Sequence, residues 1–384
     1  MRSRRHGRHP AVWNVLAALL LTCGGAGCAG AQDGAALPDA DARRADAFPV
    51  REVARSREDT LFTQIAGMDV DSRGRVYAGD WMMARVAVLD SSGALVRTIG
   101  RKGLGPGEFR GINGVQVLPG DSLLVHDPSA GRLSVFAPDS GRAAYVTTLA
   151  SAPLLIRRTP ANDAHLALMR PPFTVNDTVQ EDVLRLLNLD GSPRGEPLRR
   201  FPGRSFLRVN QGGGFSVMPN PFGHAGLFAL SRDGTLHYGW NAGLEVESTD
   251  LQGRRTGGFA IPYNPPRVSQ GDVESAVADM PAQAVRMFRS ALEDSLPERW
   301  PAVAALHADE RGRVWMGLHG PADQPHEWAL FENDGRYVGS AFLPREAEVF
   351  GVRDGRFYAA ERGEDDVQSV VIFRVDVQPR GRND

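Results

Sequence analysis

The sequence predicts an all-β chain folded as a six-bladed β-propeller of four-stranded antiparallel blades, with a short helical insertion between blades 4 and 5. Three observations carry this. A meander-like motif recurs about every 45 residues, glycine-centred turns recur with it, and one stretch of helical periodicity interrupts the series.

The first copy spans 67–100: an alternating strand, a turn at Ser72-Arg73-Gly74, strands Arg75 to Gly79 and Arg85 to Asp90, a turn at Ser91-Ser92-Gly93, and a strand Ala94 to Ile99. The second, 112–149, repeats the order with turns at Pro119-Gly120-Asp121 and Asp139-Ser140-Gly141. A degenerate third copy is assembled from Leu154 to Arg158, Leu166 to Met169, Val183 to Asp190 and Leu198 to Phe201. The fourth, 226–261, turns at Arg232-Asp233-Gly234 and Leu251-Gln252-Gly253; the fifth spans 304–343; the sixth begins near Glu348, turns at Arg353-Asp354-Gly355, and has Val370 to Val375 as its third strand. Six copies result, with five or seven as alternatives because the third is placed partly by elimination.

A single meander would expose sticky edges and one wet face. Radial arrangement buries each sheet against the next. The sixth copy lacks an outer strand, and Phe48 to Ala54 precedes the first copy, so this segment is expected to complete the last blade. Within 268–300, Val285, Phe288 and Leu292 mark an amphipathic helix over Ala282 to Leu296, opened by Pro281 and closed by Pro297, with a shorter one over Gln270 to Met280. Packing on the propeller is the plain role for their apolar stripe; a lid or docking element is the functional one.

The 384 residues are 42% hydrophobic and 23% charged, with 43 Gly and 26 Pro, a composition that suits a turn-rich globular chain. Before the repeats, Arg2, Arg4, Arg5 and Arg8 precede an apolar run from Ala11 to Thr22, the order of an export signal over 1–31 that is too short to span a membrane. Cys23 and Cys28, the two cysteines of the chain, are lipidation candidates; ordinary cleavage after Ala31 is the other route. Removing that segment takes the net charge from −2 to −6, which disfavours a nucleic-acid partner. Lys102 is the single lysine, so arginine is the default cation here and any one Arg is weak grounds for bidentate recognition. Residues 32–47 read as a flexible tether, 48–377 as the propeller and 378–384 as a disordered tail.

The run Gly100-Arg101-Lys102-Gly103-Leu104-Gly105-Pro106-Gly107-Glu108-Phe109, set between a Gly-Arg-Val-Tyr strand ending in Asp80 and the next copy, resembles the NHL-type six-bladed propellers. It is similar in particular to the bacterial secreted or lipoprotein group of largely unassigned function. The resemblance implies the fold and transfers no activity. The run itself lacks a P-loop ending and leads into a strand, so it reads as an inter-blade turn.

Asp80 with Arg85, and Asp127 with Arg132, recur at equivalent positions. They read as register-fixing pairs or as part of a ligand ring. If their strand ends face the axis, Asp80, Asp127, Trp240, His319 and Glu361 would form a mixed polar and aromatic pocket. The histidines recur at no equivalent position, so no metal ligand set is assigned, with Ca or Zn as the ions a channel site would take. The expectation is an exported scaffold, periplasmic or anchored at the outer membrane. It needs no catalytic residue, is monomeric, and binds an envelope protein or small ligand at its axial face. Membrane contact is confined to a lipid anchor. A channel-metal lyase or lactone hydrolase is the alternative.

Overall fold

The computed structural model describes residues 36–57, 62–149, 153–170, 179–211, 214–278, 280–293, 296–321, 324–363 and 367–377. The expected export signal with Cys23 and Cys28 and the expected tail at 378–384 lie outside the described residues. Among the described residues, no helix is long and apolar enough to cross a membrane.

Six antiparallel sheets form, each a blade. Blade 1 comprises Ile65–Val70, Val76–Asp80, Arg85–Leu89 and Leu95–Ile99, and blade 2 comprises Gly114–Val117, Leu123–Asp127, Arg132–Phe136 and Ala143–Thr148. Blade 4 comprises Gly226–Leu230, Leu236–Trp240, Leu244–Thr249 and Arg255–Ile261; blade 5 comprises Val303–Ala308, Val314–Leu318, His326–Phe331 and Tyr337–Leu343. In blade 6, Glu348–Arg353, Arg356–Arg362 and Gln368–Val375 are joined on the outside by Val50–Arg55, which pairs antiparallel with Gln368–Val375. The first strand of the repeat region thus closes the ring onto the last blade.

The turns explain why the motif repeats. Asp71 accepts the backbone N–H groups of Arg73 and Arg75, both at 2.9 Å, and the Arg75 guanidinium at 2.6 Å. Asp309 does the same with Arg311, Arg313 and the Arg313 guanidinium, and Asp250 with Gln252, Arg254 and the Arg254 guanidinium. Each Asp pre-forms the turn with its carboxylate, and a glycine in the left-handed region completes it, Gly74 at φ +79° and Gly312 at φ +73°.

The core lies between blades. Tyr77, Val86 and Val88 of blade 1 pack with Val115, Val125 and Phe136 of blade 2. Trp315 and Trp328 of blade 5 meet Phe357 of blade 6 edge-on at 4.9 and 5.5 Å, and Phe48 covers Trp315 at 6.2 Å. Each buried aromatic of this size contributes roughly 1.5–3 kcal/mol.

Two expectations need correction. Blade 3 has five strands: Leu155–Arg158, His165–Met169, Val179–Leu187, Pro193–Gln211 and Gly214–Pro219. Its fourth strand runs 19 residues because its first half pairs with Val179–Leu187 and its second with Gly214–Pro219. The expected tether is ordered from Leu37: a helix over Ala40–Ala45 is capped by the Asp39 carboxylate on the Ala42 amide, and its Arg43 is buried. Leu37 packs on the blade 4 and 5 core.

The insertion forms helices Gln270–Val277 and Ala282–Glu293, the first opened by a Ser269/Asp272 capping box. Phe288 and Leu292 bury against Leu207 of the long strand of blade 3, Phe222 and Trp300. The apolar stripe packs on the propeller, chiefly on the part of blade 3 that extends beyond the repeat.

Candidate functional site

The five residues expected at an axial pocket lie at equivalent strand ends, but no hydrogen bond, ion pair or ring contact joins any two of them. Asp80 is fully buried and accepts the amides of Thr63 at 2.7 Å, Met83 at 2.8 Å and Gln64 at 3.2 Å. Asp127, equally buried, accepts the amides of Arg110 at 2.7 Å and Ala130 at 2.9 Å. Both carboxylates are spent on their own backbone, 17 residues back and three ahead. Arg85 and Arg132 stand opposite them in register. Arg132 directs its guanidinium to the carbonyls of Leu104 and Glu108, both at 2.8 Å, so it braces the glycine-rich connection instead of pairing with Asp127.

The remaining three are engaged elsewhere. Trp240 is half-buried, 6.0 Å from the His224 ring. His319 stacks on Trp300 at 4.8 Å, and burial, with His326 and Arg345 nearby, depresses its pKa to about 3. Glu361 accepts from Arg55 of the closing strand at 2.7 Å.

A different set faces the axis. Asp69, Gln116, Arg157, Ala229, His307 and Gly351 occupy one level of the six innermost strands, pairing outward with Tyr77, Leu124, Leu166, His237, Trp315 and Tyr358. All six are partly accessible, although Asp69, Arg157 and His307 are enclosed by protein. Partial access within enclosure is what lining a narrow channel produces.

Most of these side chains bond to the backbone of another blade. Asp69 accepts the Val117 amide at 2.7 Å, and Gln116 both donates to the Arg158 carbonyl at 3.1 Å and accepts its amide at 2.6 Å. His307 Nε2 lies 3.2 Å from the Val349 carbonyl, and Arg353 donates to the Val70 carbonyl at 2.5 Å. Innermost strands splay too far apart to pair with each other, so their inner edges need other partners, and these polar side chains supply them. Burial depresses His307 to about pH 4, leaving it neutral at pH 7. Its Nε2–H therefore donates to Val349 and Nδ1 remains an acceptor. Burial raises the Asp69 carboxyl and lowers the Arg157 guanidinium.

This ring escapes sequence reasoning because its six members share no chemistry. The available signal is a polar residue three places before the first turn in four of the copies, inside a largely apolar strand. Among the described residues, no three His, Cys, Asp or Glu side chains are grouped to hold a metal ion.

No family model and no curated protein matches the chain. Among solved structures, it is similar to a putative exported protein from Bacteroides fragilis, with a TM-score of 0.51 at 10% identity over 86% of this chain and 95% of that one. Virginiamycin B lyase from Staphylococcus aureus follows at a TM-score of 0.46 and 13% identity, over 86% of this chain and 100% of that one. A gluconolactonase from Xanthomonas campestris gives 0.44 and 13%, over 88% and 94%. At these identities the likeness is one of fold, and the chain is a six-bladed β-propeller.

Proposed function

We propose that the protein is an exported NHL-type propeller that acts as a non-catalytic binding scaffold, presenting its axial face to a small ligand or an envelope protein. Its place is the periplasm or, with lipidation at Cys23 or Cys28, the outer membrane. The observation that carries the reading is the convergence of Asp69, Gln116, Arg157 and His307 on the channel at one level. This is a small polar group inside an apolar frame, the usual composition of a ligand site. Asp80 and Asp127, the acids at equivalent strand ends, hold backbone amides. A base needs a free lone pair near a substrate proton, and neither is arranged to offer one.

The test is elemental analysis for Zn and Ca on chain purified without chelator, together with lyase and lactonase assays. Sub-stoichiometric metal and no turnover are expected. Stoichiometric metal with turnover that disappears in His307→Ala would overturn the scaffold reading.

A further inference from the structure

Arg157 is the unusual member of the channel ring. Its guanidinium makes one hydrogen bond, from Nη1 to the Val115 carbonyl at 3.3 Å, and no carboxylate among the described residues lies within ion-pair distance. The other two guanidinium nitrogens are not sealed among protein atoms, because neither is a buried donor without a partner. Arg157 also interacts electrostatically with Asp69 of blade 1, His126 of blade 2 and His307 of blade 5, a reach that only a position near the axis allows.

There is room beside it. A Cβ placed on Gly114 would lie 3.5 Å from Arg157 Nη1, an ordinary contact distance, so the guanidinium lies alongside the inner strand of blade 2. At the same level across the ring, a Cβ on Gly351 would meet nothing within 4 Å. The fixed charges around this space are Arg157 and Asp69, with Arg353 paired to Asp354 at 3.7 Å, while His126 and His307 are neutral at pH 7. Arg157 is the cation of this set that has no ion-pair partner among the described residues. Asp69 is committed to the Val70 and Val117 amides, so it leaves the guanidinium fork open.

We propose that Arg157 is the anchor of a binding site for a small carboxylate monoanion in the axial channel. This inference rests on the axial binding reading and names the ligand class for it. A planar guanidinium with two free N–H edges matches a carboxylate in bidentate geometry. A monoanion adds the least negative charge beside Asp69, whereas a phosphate dianion adds two.

Calorimetric titration of the full chain with acetate, lactate and inorganic phosphate tests this. The carboxylates should bind in preference to phosphate, and Arg157→Gln should weaken them about tenfold or more, with Arg157→Lys intermediate. A second variant guards against loss of fold: Gly351→Asp keeps Arg157, adds an acid where there is open space, and should abolish carboxylate binding with an unchanged melting temperature. The proposal is overturned if no carboxylate binds, if phosphate binds more tightly, or if both variants bind as the wild type does. A partner that still docks on the axial face of Arg157→Gln would also overturn it while leaving the scaffold reading intact. Metal-dependent turnover would sink the scaffold reading instead.

Discussion

Arg43 grips Glu327 with both arms of its guanidinium, Nε at 2.6 Å and Nη2 at 3.0 Å, across 284 residues of sequence. Their side chains are 8% and 14% exposed, so the pair is largely withdrawn from water. Ser340 donates to the same carboxylate, and the Ser340 carbonyl accepts the Phe48 amide. The segment ahead of the closing strand is thereby fastened to blade 5 while the strand itself pairs in blade 6. Arg43→Ala strands a half-buried carboxylate, and a loss of about 3 kcal/mol is expected, in the range for breaking one side of such a pair. Urea denaturation checks it; a midpoint equal to wild type would mean the segment does not contribute to closure.

Asp80 organises three amides of blade 1 from a fully buried carboxylate, and its removal leaves them without that acceptor. Asp80→Ala should therefore cost about 3 kcal/mol or more, and Asp80→Asn less, since a side-chain carbonyl still accepts. Axial ligand binding should persist in Asp80→Asn. Binding that vanished in Asp80→Asn with an unchanged unfolding midpoint would return this carboxylate to the list of ligand contacts.

Acid should weaken the fold well before the carboxylates titrate. His126 and His165 are 2% and 0% exposed, the His126 ring has no hydrogen-bond partner and the His165 ring only the Leu189 backbone, and burial depresses both to about pH 4. In the unfolded chain they titrate near 6.5. Between those values the unfolded state binds more protons, so stability is complete above pH 6.5 and falls as the pH drops toward 4, by up to about 3 kcal/mol per histidine. Comparing urea midpoints at pH 7 and pH 5 for wild type and a His126→Leu/His165→Leu variant isolates this effect. An equal acid-induced drop in both proteins would remove these histidines as its cause.

What the sequence made legible follows the reach of each interaction. The Asp and Gly of each turn act within four residues, so Asp71 to Gly74 and Asp309 to Gly312 repeat visibly and reveal the blades. The closing strand was legible by a different route, as the missing partner of Val370 to Val375. Arg43 was not, because nothing near it in sequence predicts Glu327. Arg157 was hidden twice over. It falls in the degenerate third copy, where Arg157 and Arg158 end the same short strand and only the pairing with Leu166 shows which one occupies the axial level. Arginine is also the chain's default cation, which strips the residue type of meaning. The candidate pocket rests on equivalent position alone, which does not reveal that the carboxylates of Asp80 and Asp127 accept backbone amides 17 residues back and three ahead.

Two glycines at the channel provide the sharpest test of its geometry. A Cβ on Gly67 would sit 2.9 Å from both the Gly114 Cα and the Val115 nitrogen, backbone atoms that cannot swing aside, whereas one on Gly351 meets open space. Gly67→Ala must push the inner strands of blades 1 and 2 apart, straining the nearby bond from the Val117 amide to Asp69, and a cost of about 1–3 kcal/mol is expected. Gly351→Ala sits at a φ that any residue can adopt, so the lower entropy of its unfolded chain should leave stability equal or higher by about 0.5 kcal/mol. Paired denaturation curves decide the matter. Equal effects at the two positions would mean that the inner strands are evenly spaced and that the space beside Gly351, on which carboxylate binding depends, is not there.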